Sequence, residues 1–249
     1  MLSGGGARGF AHLGVLQALD ELGIRIDWMS GTSAGALVGA FYCAGEKPAD
    51  TFEFIREHKV YEWLRFLWRK AGLLNMHKVE ELLRERVPQT FEELKIPLTV
   101  CTTDILKGEP VFFHSGPLIP AVCASASIPV MFEPVRIGDA LCVDGGLMNN
   151  LPIEPFEGKT NTIIAVHVNP LDRSLKEVHF KDVIDRSIHL AISRDAERKQ
   201  DRCTIFIEPP ECSRVHIFDI SAAEMLFDAG YHATMAMKEK LAAVTGEKM

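Results

Sequence analysis

Gly31-Thr32-Ser33-Ala34-Gly35 reads G-x-S-x-G and runs directly into the apolar stretch Ala36-Leu37-Val38-Gly39-Ala40-Phe41. Ahead of it, Ile24 and Ile26 alternate with polar residues up to Trp28-Met29, the pattern of a short strand. Strand, sharp turn and helix are the setting a nucleophilic serine needs, because the turn strains the residue and exposes its hydroxyl. Gly31 and Gly35 would let two backbone segments approach without a Cβ clash. The following helix would aim free N–H groups and the positive end of its dipole at developing negative charge. The same five residues also suit an ordinary small-residue turn in which Ser33 only starts a helix.

The chain opens Ser3-Gly4-Gly5-Gly6-Ala7-Arg8-Gly9, followed by leucines at 13, 16, 19 and 22 in helical spacing. A glycine-rich loop entering a helix clusters backbone N–H groups and admits a charged oxygen at close range. Beside a serine nucleophile it would serve as an oxyanion hole, with Arg8 adding fixed positive charge or locking the loop. Gly4, Gly6 and Gly9 also fit G-x-G-x-x-G, and Asp27, 18 residues beyond Gly9, could imitate a ribose-binding acid. Against a dinucleotide site, almost no strand precedes the loop, and the strand carrying Asp27 leads into the serine turn. No G-K-[ST] follows the glycines, so a phosphate-binding Walker loop is excluded.

A third element is Asp144-Gly145-Gly146-Leu147-Met148-Asn149-Asn150-Leu151-Pro152, delivered by the strand-like run Ala140-Leu141-Cys142-Val143. Asp-Gly-Gly is a common turn. With a serine turn and an anion loop upstream, Asp144 becomes the leading acceptor for the serine proton.

These elements, in this order, resemble the patatin-like phospholipase family. The resemblance rests on Gly4-Gly5-Gly6-Ala7-Arg8-Gly9, Gly31-Thr32-Ser33-Ala34-Gly35 and Asp144-Gly145-Gly146. It extends to Ala124-Ser125-Ala126-Ser127-Ile128-Pro129 with Phe132-Glu133-Pro134-Val135, and to Thr103-Asp104, Gly108-Glu109 and Val111-Phe112. It covers roughly residues 2 to 170. It implies a Ser33–Asp144 dyad in place of a Ser-His-Asp triad, with Gly4, Gly5, Gly6 and Arg8 supplying or shaping the oxyanion hole. Gly31, Gly35, Gly145 and Gly146 would support the two turns. The fold implied is a three-layer α/β/α sandwich around a mostly parallel sheet, one domain over 1–249 with a small helical cap at about 48–95. The substrate implied is a lipid or other ester, and no cofactor or metal is called for. One departure stands out. Family members carry several more apolar residues before the glycines, which implies a start that is trimmed or internal, a short first strand and a less rigid Gly4–Gly6.

Other readings stay open on sequence. An α/β-hydrolase would use a histidine after Asp144, and His167 and His216 are the placed choices. Its elbow normally follows several strands, whereas this one lies at position 33. His12, one turn beyond the loop, is expected to pack or bond to backbone. A catalytically silent regulatory scaffold is the reading from another class; intact motifs weigh against it.

Composition narrows the field. Hydrophobic residues at 47% are enough for a large core. A formal charge of −7, without a basic block, leaves no nucleic-acid footprint. No apolar run is long enough to span a bilayer, and no signal core opens the chain. Cys43, Cys101, Cys123, Cys142, Cys203 and Cys212 form no C-x-x-C pair, which points to reduced thiols and a cytoplasmic protein. No calcium loop is present. Oligomeric state is not readable.

Strands are expected at 99–103, 111–113, 162–168 and 204–207, and helices through 48–95, over 181–199 and over 221–242. Within the insert, Tyr61, Trp63, Phe66 and Trp68 interleave with Arg65, Arg69 and Lys70. Residues 60–72 are read either as a cap helix on the core or as a peripheral contact with a membrane surface.

Overall fold

The computed structural model describes residues 1–58, 76–173 and 183–245. The expected insert segment 60–72 lies outside the described residues. From the N-terminus come helix α1 (Phe10–Glu21), strand β1 (Met29–Thr32), and helices α2 (Ala34–Ala44), α3 (Pro48–Glu57) and α4 (His77–Arg86). Strands β2 (Leu98–Asp104) and β3 (Glu109–Phe113) follow, then helix α5 (Leu118–Ser125) and the hairpin of β4 (Val135–Ile137) and β5 (Ala140–Asp144). The chain closes with β6 (Ile164–Val166), α6 (Val183–Lys199), β7 (Ile205–Ile207), α7 (Ala223–Met235) and α8 (Lys238–Thr245).

The short first strand is a single residue that joins two sheets. Leu2 bridges in parallel to Gly31 of β1 and to Val166 of β6. Its N–H donates to Ser30 O at 2.9 Å and its carbonyl accepts from Thr32 N–H at 3.2 Å. On the other side, Ser3 N–H reaches Val166 O at 3.0 Å and Val166 N–H reaches Met1 O at 2.8 Å. The parallel centre therefore runs β7, β6, Leu2, β1, β2. Antiparallel β3, β5 and β4 complete it. β1 and β2 are buried along their whole length, as central strands covered on both faces must be. Edge strand β3 is exposed or half-buried and carries Pro110, a residue that sheets tolerate at edges.

Side-chain alternation separates the layers. Leu2, Ile164, Val166, Ile205 and Ile207 join the large core shared with α1, α2 and α7. Their neighbours Met1, Ala165 and Phe206 point the other way, into a smaller cluster with Ala196 of α6. Period-two strands with helices against both faces make the three-layer α/β/α sandwich.

Three elements differ from expectation. The strand read from Ile24 to Met29 begins only at Met29 and runs to Thr32, where pairing with Leu98–Cys101 of β2 sets its length. The predicted strand 162–168 pairs only over Ile164–Val166. Its partner is equally short, and Val168 N–H turns away to Ser3 Oγ at 3.1 Å. The predicted helix 221–242 is two helices, divided where Met237 N–H bonds Thr234 O, three residues back, at 2.9 Å. The helix expected at 181–199 is described from Val183.

Helix α1 crosses α7 at backbone distance. A Cβ at Gly14 would strike the carbonyl of Phe227, and one at Gly230 would strike the carbonyl of Ala11. At an exposed helical site, glycine to alanine gains about 1 kcal/mol of propensity. Here overpacking against backbone reverses the sign. Gly14→Ala and Gly230→Ala should each lower the free energy of unfolding by about 1–3 kcal/mol. Urea denaturation reads this directly, and an unchanged or raised midpoint contradicts the crossing.

Candidate active site

Strand register brings the site together. β3 lies along Val100–Asp104 on one edge of β2. The other edge is divided: β1 pairs in parallel with Leu98–Cys101, and β5 pairs antiparallel with Thr102–Asp104. β1 and β5 therefore end head to head, with Thr32 opposite Cys101 and Asp144 opposite Thr102. The residue after Thr32 is Ser33. Its Oγ donates to Asp144 Oδ2 at 2.6 Å, and both residues are buried.

Ser33 has φ 53° and ψ −122°, a left-handed conformation that side chains rarely adopt, and it stands at the N-terminus of α2. Held strain of this kind is common at functional sites. The turn closes because both flanking residues are glycine. A Cβ on Gly31 would meet the Gly35 carbonyl, and one on Gly35 would meet the carbonyls of Leu2 and Ser3. The Ser33 N–H donates to Ser125 Oγ at 2.8 Å, and that hydroxyl donates to Cys101 O at 2.6 Å.

Asp144 is fixed from several sides. Gly146 N–H donates to its Oδ1 at 2.7 Å, its own N–H donates to Ser127 O at 2.9 Å, and Thr103 Oγ1 donates to its carbonyl at 3.1 Å. Thr103 Oγ1 also lies 3.5 Å from Gly145 O. Burial pushes the Asp144 carboxyl up to about 6, against the lowering effect of the hydrogen bonds from Ser33 and Gly146.

The glycine loop faces this pair. Gly4 lies against Ser33, so that a Cβ there would press on Ser33 Cβ and run into Asn150 Oδ1. Gly4 N–H is already donated to Asn150 O at 3.1 Å, and its carbonyl accepts from Asn169 Nδ2 at 2.6 Å. Among the described residues, the N–H groups of Gly5 and Gly6 make no hydrogen bond. Gly6 takes φ 55°, and a side chain there would strike the Ile217 carbonyl, which accepts Ala7 N–H at 2.7 Å. Arg8 is buried, and contacts of its side chain lie with the C-terminal part of the chain. Its Nε donates to Val215 O at 2.8 Å and its Nη1 to Asn169 Oδ1 at 3.2 Å, 3.0 Å from His189 Nε2. These contacts join the glycine loop to residues 169, 189 and 215.

The histidines are engaged elsewhere. His12 Nε2 meets Ser3 O at 2.8 Å. Burial holds it down to about 3, so it is neutral. His167 Nδ1 pairs with Glu208 Oε1 at 2.7 Å, and His216 Nδ1 accepts from Phe218 N–H at 3.3 Å. Neither His167 nor His216 is a partner of Ser33 or Asp144. Two clefts of about 420 and 160 Å³ share Leu171, Arg173, Ser193 and Glu197, and neither is lined by Ser33 or Asp144.

Sequence reasoning missed the polar network behind Asp144. Lys199 Nζ, buried at the end of α6, contacts Glu154 at 2.9 Å, Asp195 at 3.0 Å and Asn149 Oδ1 at 2.6 Å. Asn149 Nδ2 donates to Glu154, and Asn150 N–H to Asp195. Although burial pushes Glu154 up, the bonds from Asn149 and Lys199 hold its carboxyl below the usual value. A single lysine at a helix end carries no local signal of such a role.

The patatin-like phospholipase family model matches residues 1–157. The chain belongs to the patatin-like phospholipase family. An "Uncharacterized NTE family protein" of Mycobacterium tuberculosis is 38% identical over 172 residues, 68% of this chain and 48% of that protein. The "Lysophospholipase nte1" of Aspergillus fumigatus is 32% identical over 190 residues, 72% of this chain and 12% of that protein. The chain thus spans about half the length of the mycobacterial relative and a small part of the fungal one. Among solved structures, VipD from Legionella pneumophila superposes with a TM-score of 0.53 at 17% identity, over 96% of this chain and 66% of that one. That likeness concerns the patatin-like fold.

The raised Asp144 acid has a consequence for stability. In the unfolded chain an aspartate ionises near pH 4, as a rough reference. The folded protein therefore holds a proton between about 4 and about 6 that the unfolded chain has released. Stability falls as pH rises through that window, and above it the folded state carries the full cost of ionisation, about 3 kcal/mol. Asp144→Asn removes the charge and keeps the shape. Its unfolding free energy should exceed that of wild type above about pH 7, and the gap should close below about pH 4. A gap independent of pH, measured by denaturant titration, would show that Asp144 is not a raised acid.

Proposed function

We propose that this protein is a serine acyl hydrolase that cleaves lipid esters through a Ser33–Asp144 dyad. The observation that carries the reading is the 2.6 Å bond from Ser33 Oγ to Asp144 Oδ2, made at a strained turn. The family supports lipid ester chemistry, and the lysophospholipase relative names one such substrate class.

In this mechanism Ser33 Oγ attacks the ester carbonyl carbon while Asp144 Oδ2 takes the hydroxyl proton. An aspartate ionising near 6 is a stronger base than a free one and is still mostly ionised at neutral pH. Negative charge collects on the former carbonyl oxygen, and the unbonded N–H groups of Gly5 and Gly6 are taken as donors that receive it. Each such donor is worth about 3 kcal/mol in well-studied hydrolases. Gly4 and Arg8 shape the loop that presents them. Protonated Asp144 returns its proton to the departing alcohol. Water then attacks the acyl-serine, its proton passes to Asp144, and the carboxylic acid leaves as Ser33 regains its hydrogen. Residues 48–95 are taken as a helical cap on a single domain, with α3 and α4 its described part. Residues 60–72 keep both readings, a cap helix on the core or a peripheral membrane contact, and lie outside the described residues.

Ser33→Ala and Asp144→Asn should each cut turnover of a nitrophenyl ester by something on the order of 10⁴-fold or more, with both variants folded. His167→Ala and His216→Ala should keep most turnover. In wild type, kcat/KM should rise with pH through about 6, where Asp144 becomes a base. Full activity in Ser33→Ala places the nucleophile elsewhere, and a histidine variant as inactive as Asp144→Asn replaces the dyad with a triad.

The proposed charge stabilisation comes from backbone N–H groups, so the mechanism needs no calcium. Activity should survive EDTA. Loss on chelation, restored by calcium, would refute a metal-independent dyad.

A further inference from the structure

Every polar atom of Ser33 is held by a different part of the fold. Its Oγ is held by Asp144 at the end of β5. Its carbonyl is held by α2, accepting Ala36 N–H at 2.9 Å and Leu37 N–H at 3.0 Å. Its N–H is held by Ser125 Oγ at 2.8 Å, at the C-terminal end of α5. Ser125 is fully buried. Proton directions in this relay are forced. Ser33 N–H can only donate, so Ser125 Oγ accepts, and its single hydrogen goes to Cys101 O at 2.6 Å. Cys101 is the β2 residue that faces Thr32 across the ladder. The hydroxyl thus ties the strained peptide to the strand that positions both β1 and β5.

We infer that Ser125 is a positioning residue for the nucleophile, setting the rotation of the Ser33 peptide and with it the aim of Ser33 Oγ. This deepens the proposed dyad and rests on it. Ser125 contacts neither of the two proposed reacting atoms. Its effect passes through one backbone bond to a residue whose φ of 53° is unfavourable without outside support. The same bond occupies Ser33 N–H, so this donor is not open to a substrate oxygen. Loss of the Ser125 hydroxyl would release the peptide, and errors of about 1 Å in aim are costly to turnover, up to roughly 100-fold.

The test compares Ser125→Ala, Ser125→Thr and Ser125→Cys with wild type, Ser33→Ala and Thr234→Val. Thr234 is a matched control, since its buried hydroxyl bonds only Gly230 O within α7, at 2.9 Å. Sites are counted by fluorophosphonate titration to completion, and kcat and KM for a short nitrophenyl ester are expressed per titrated site. Ser125→Ala should lose about 10- to 100-fold in kcat per site, with KM little changed. Its fluorophosphonate labelling rate should fall in parallel. The pH midpoint of kcat/KM should move up, because a misaimed Ser33 no longer lowers the Asp144 acid. Ser125→Thr keeps the hydroxyl and should recover most of the loss, whereas Thr234→Val should lose melting temperature but not kcat per site. If Ser125→Ala yields no folded protein, Ser125→Cys carries the test, with a thiol that accepts weakly and an intermediate kcat. Wild-type kcat per site in Ser125→Ala, or in Ser125→Cys where that variant carries the test, overturns the inference and makes Ser125 a stability residue only. Activity retained in Ser33→Ala would instead overturn the dyad itself, and the two failures are told apart by that variant.

Discussion

Two strands ending head to head on one edge of β2 are the constraint on which the site depends. β1 arrives parallel and stops at Thr32, opposite Cys101; β5 arrives antiparallel and stops at Asp144, opposite Thr102. Consecutive positions along one strand are about 3.3 Å apart, so the chain leaving β1 must turn at once or collide with the end of β5. The sharp turn at Ser33, the glycines either side and the start of α2 are the solution to that collision. The 2.6 Å contact between hydroxyl and carboxylate is then set by sheet register, before any side-chain preference enters.

Placing polar groups where strands end inside the sandwich has a cost, because buried donors and acceptors must be satisfied. The chain meets it with short hydroxyl side chains. Ser30 donates to Pro152 O, Thr32 to Asn149 O, Thr103 to Asp144 O and Ser125 to Cys101 O. Each ties a strand or helix of the first half to the chain around Asp144 or to β2. Lys199 does the same with charge, and its two carboxylate partners offset its desolvation. Asp144 differs from these groups. Its burial is only partly compensated, which is why its pKa stays raised.

What the sequence revealed and what it hid follow one physical division. The serine turn, the glycine loop and Asp-Gly-Gly are local: their residue types are dictated by backbone shape within a few positions, so they are legible without partners. Strand and helix existence was legible for the same reason, while lengths were not. β6 is shorter than its apolar run because pairing ends with its neighbour β7. The role of Arg8 stayed open in the sequence because its partners, Val215 and Asn169, lie far along the chain. Ser125 could be quoted within a motif but not given a task, since its task is a bond across 92 positions to Ser33. Lys199 gave no signal at all.

The same division bears on the C-terminal third. The family match ends at residue 157, yet the glycine loop is shaped largely by what comes after it. Ser3 N–H is held by Val166, Gly4 by Asn169, Ala7 by Ile217 and Arg8 by Val215. These contacts mostly use backbone carbonyls, which many side-chain types can present. Sequence in this region is therefore free to drift while the loop geometry persists, provided that β6, β7 and the turns after them keep their paths. The motifs of the first 157 residues carry the proposed reactive groups. The less recognisable remainder supplies the frame that leaves Gly5 and Gly6 N–H unspent while the rest of the loop is bonded down.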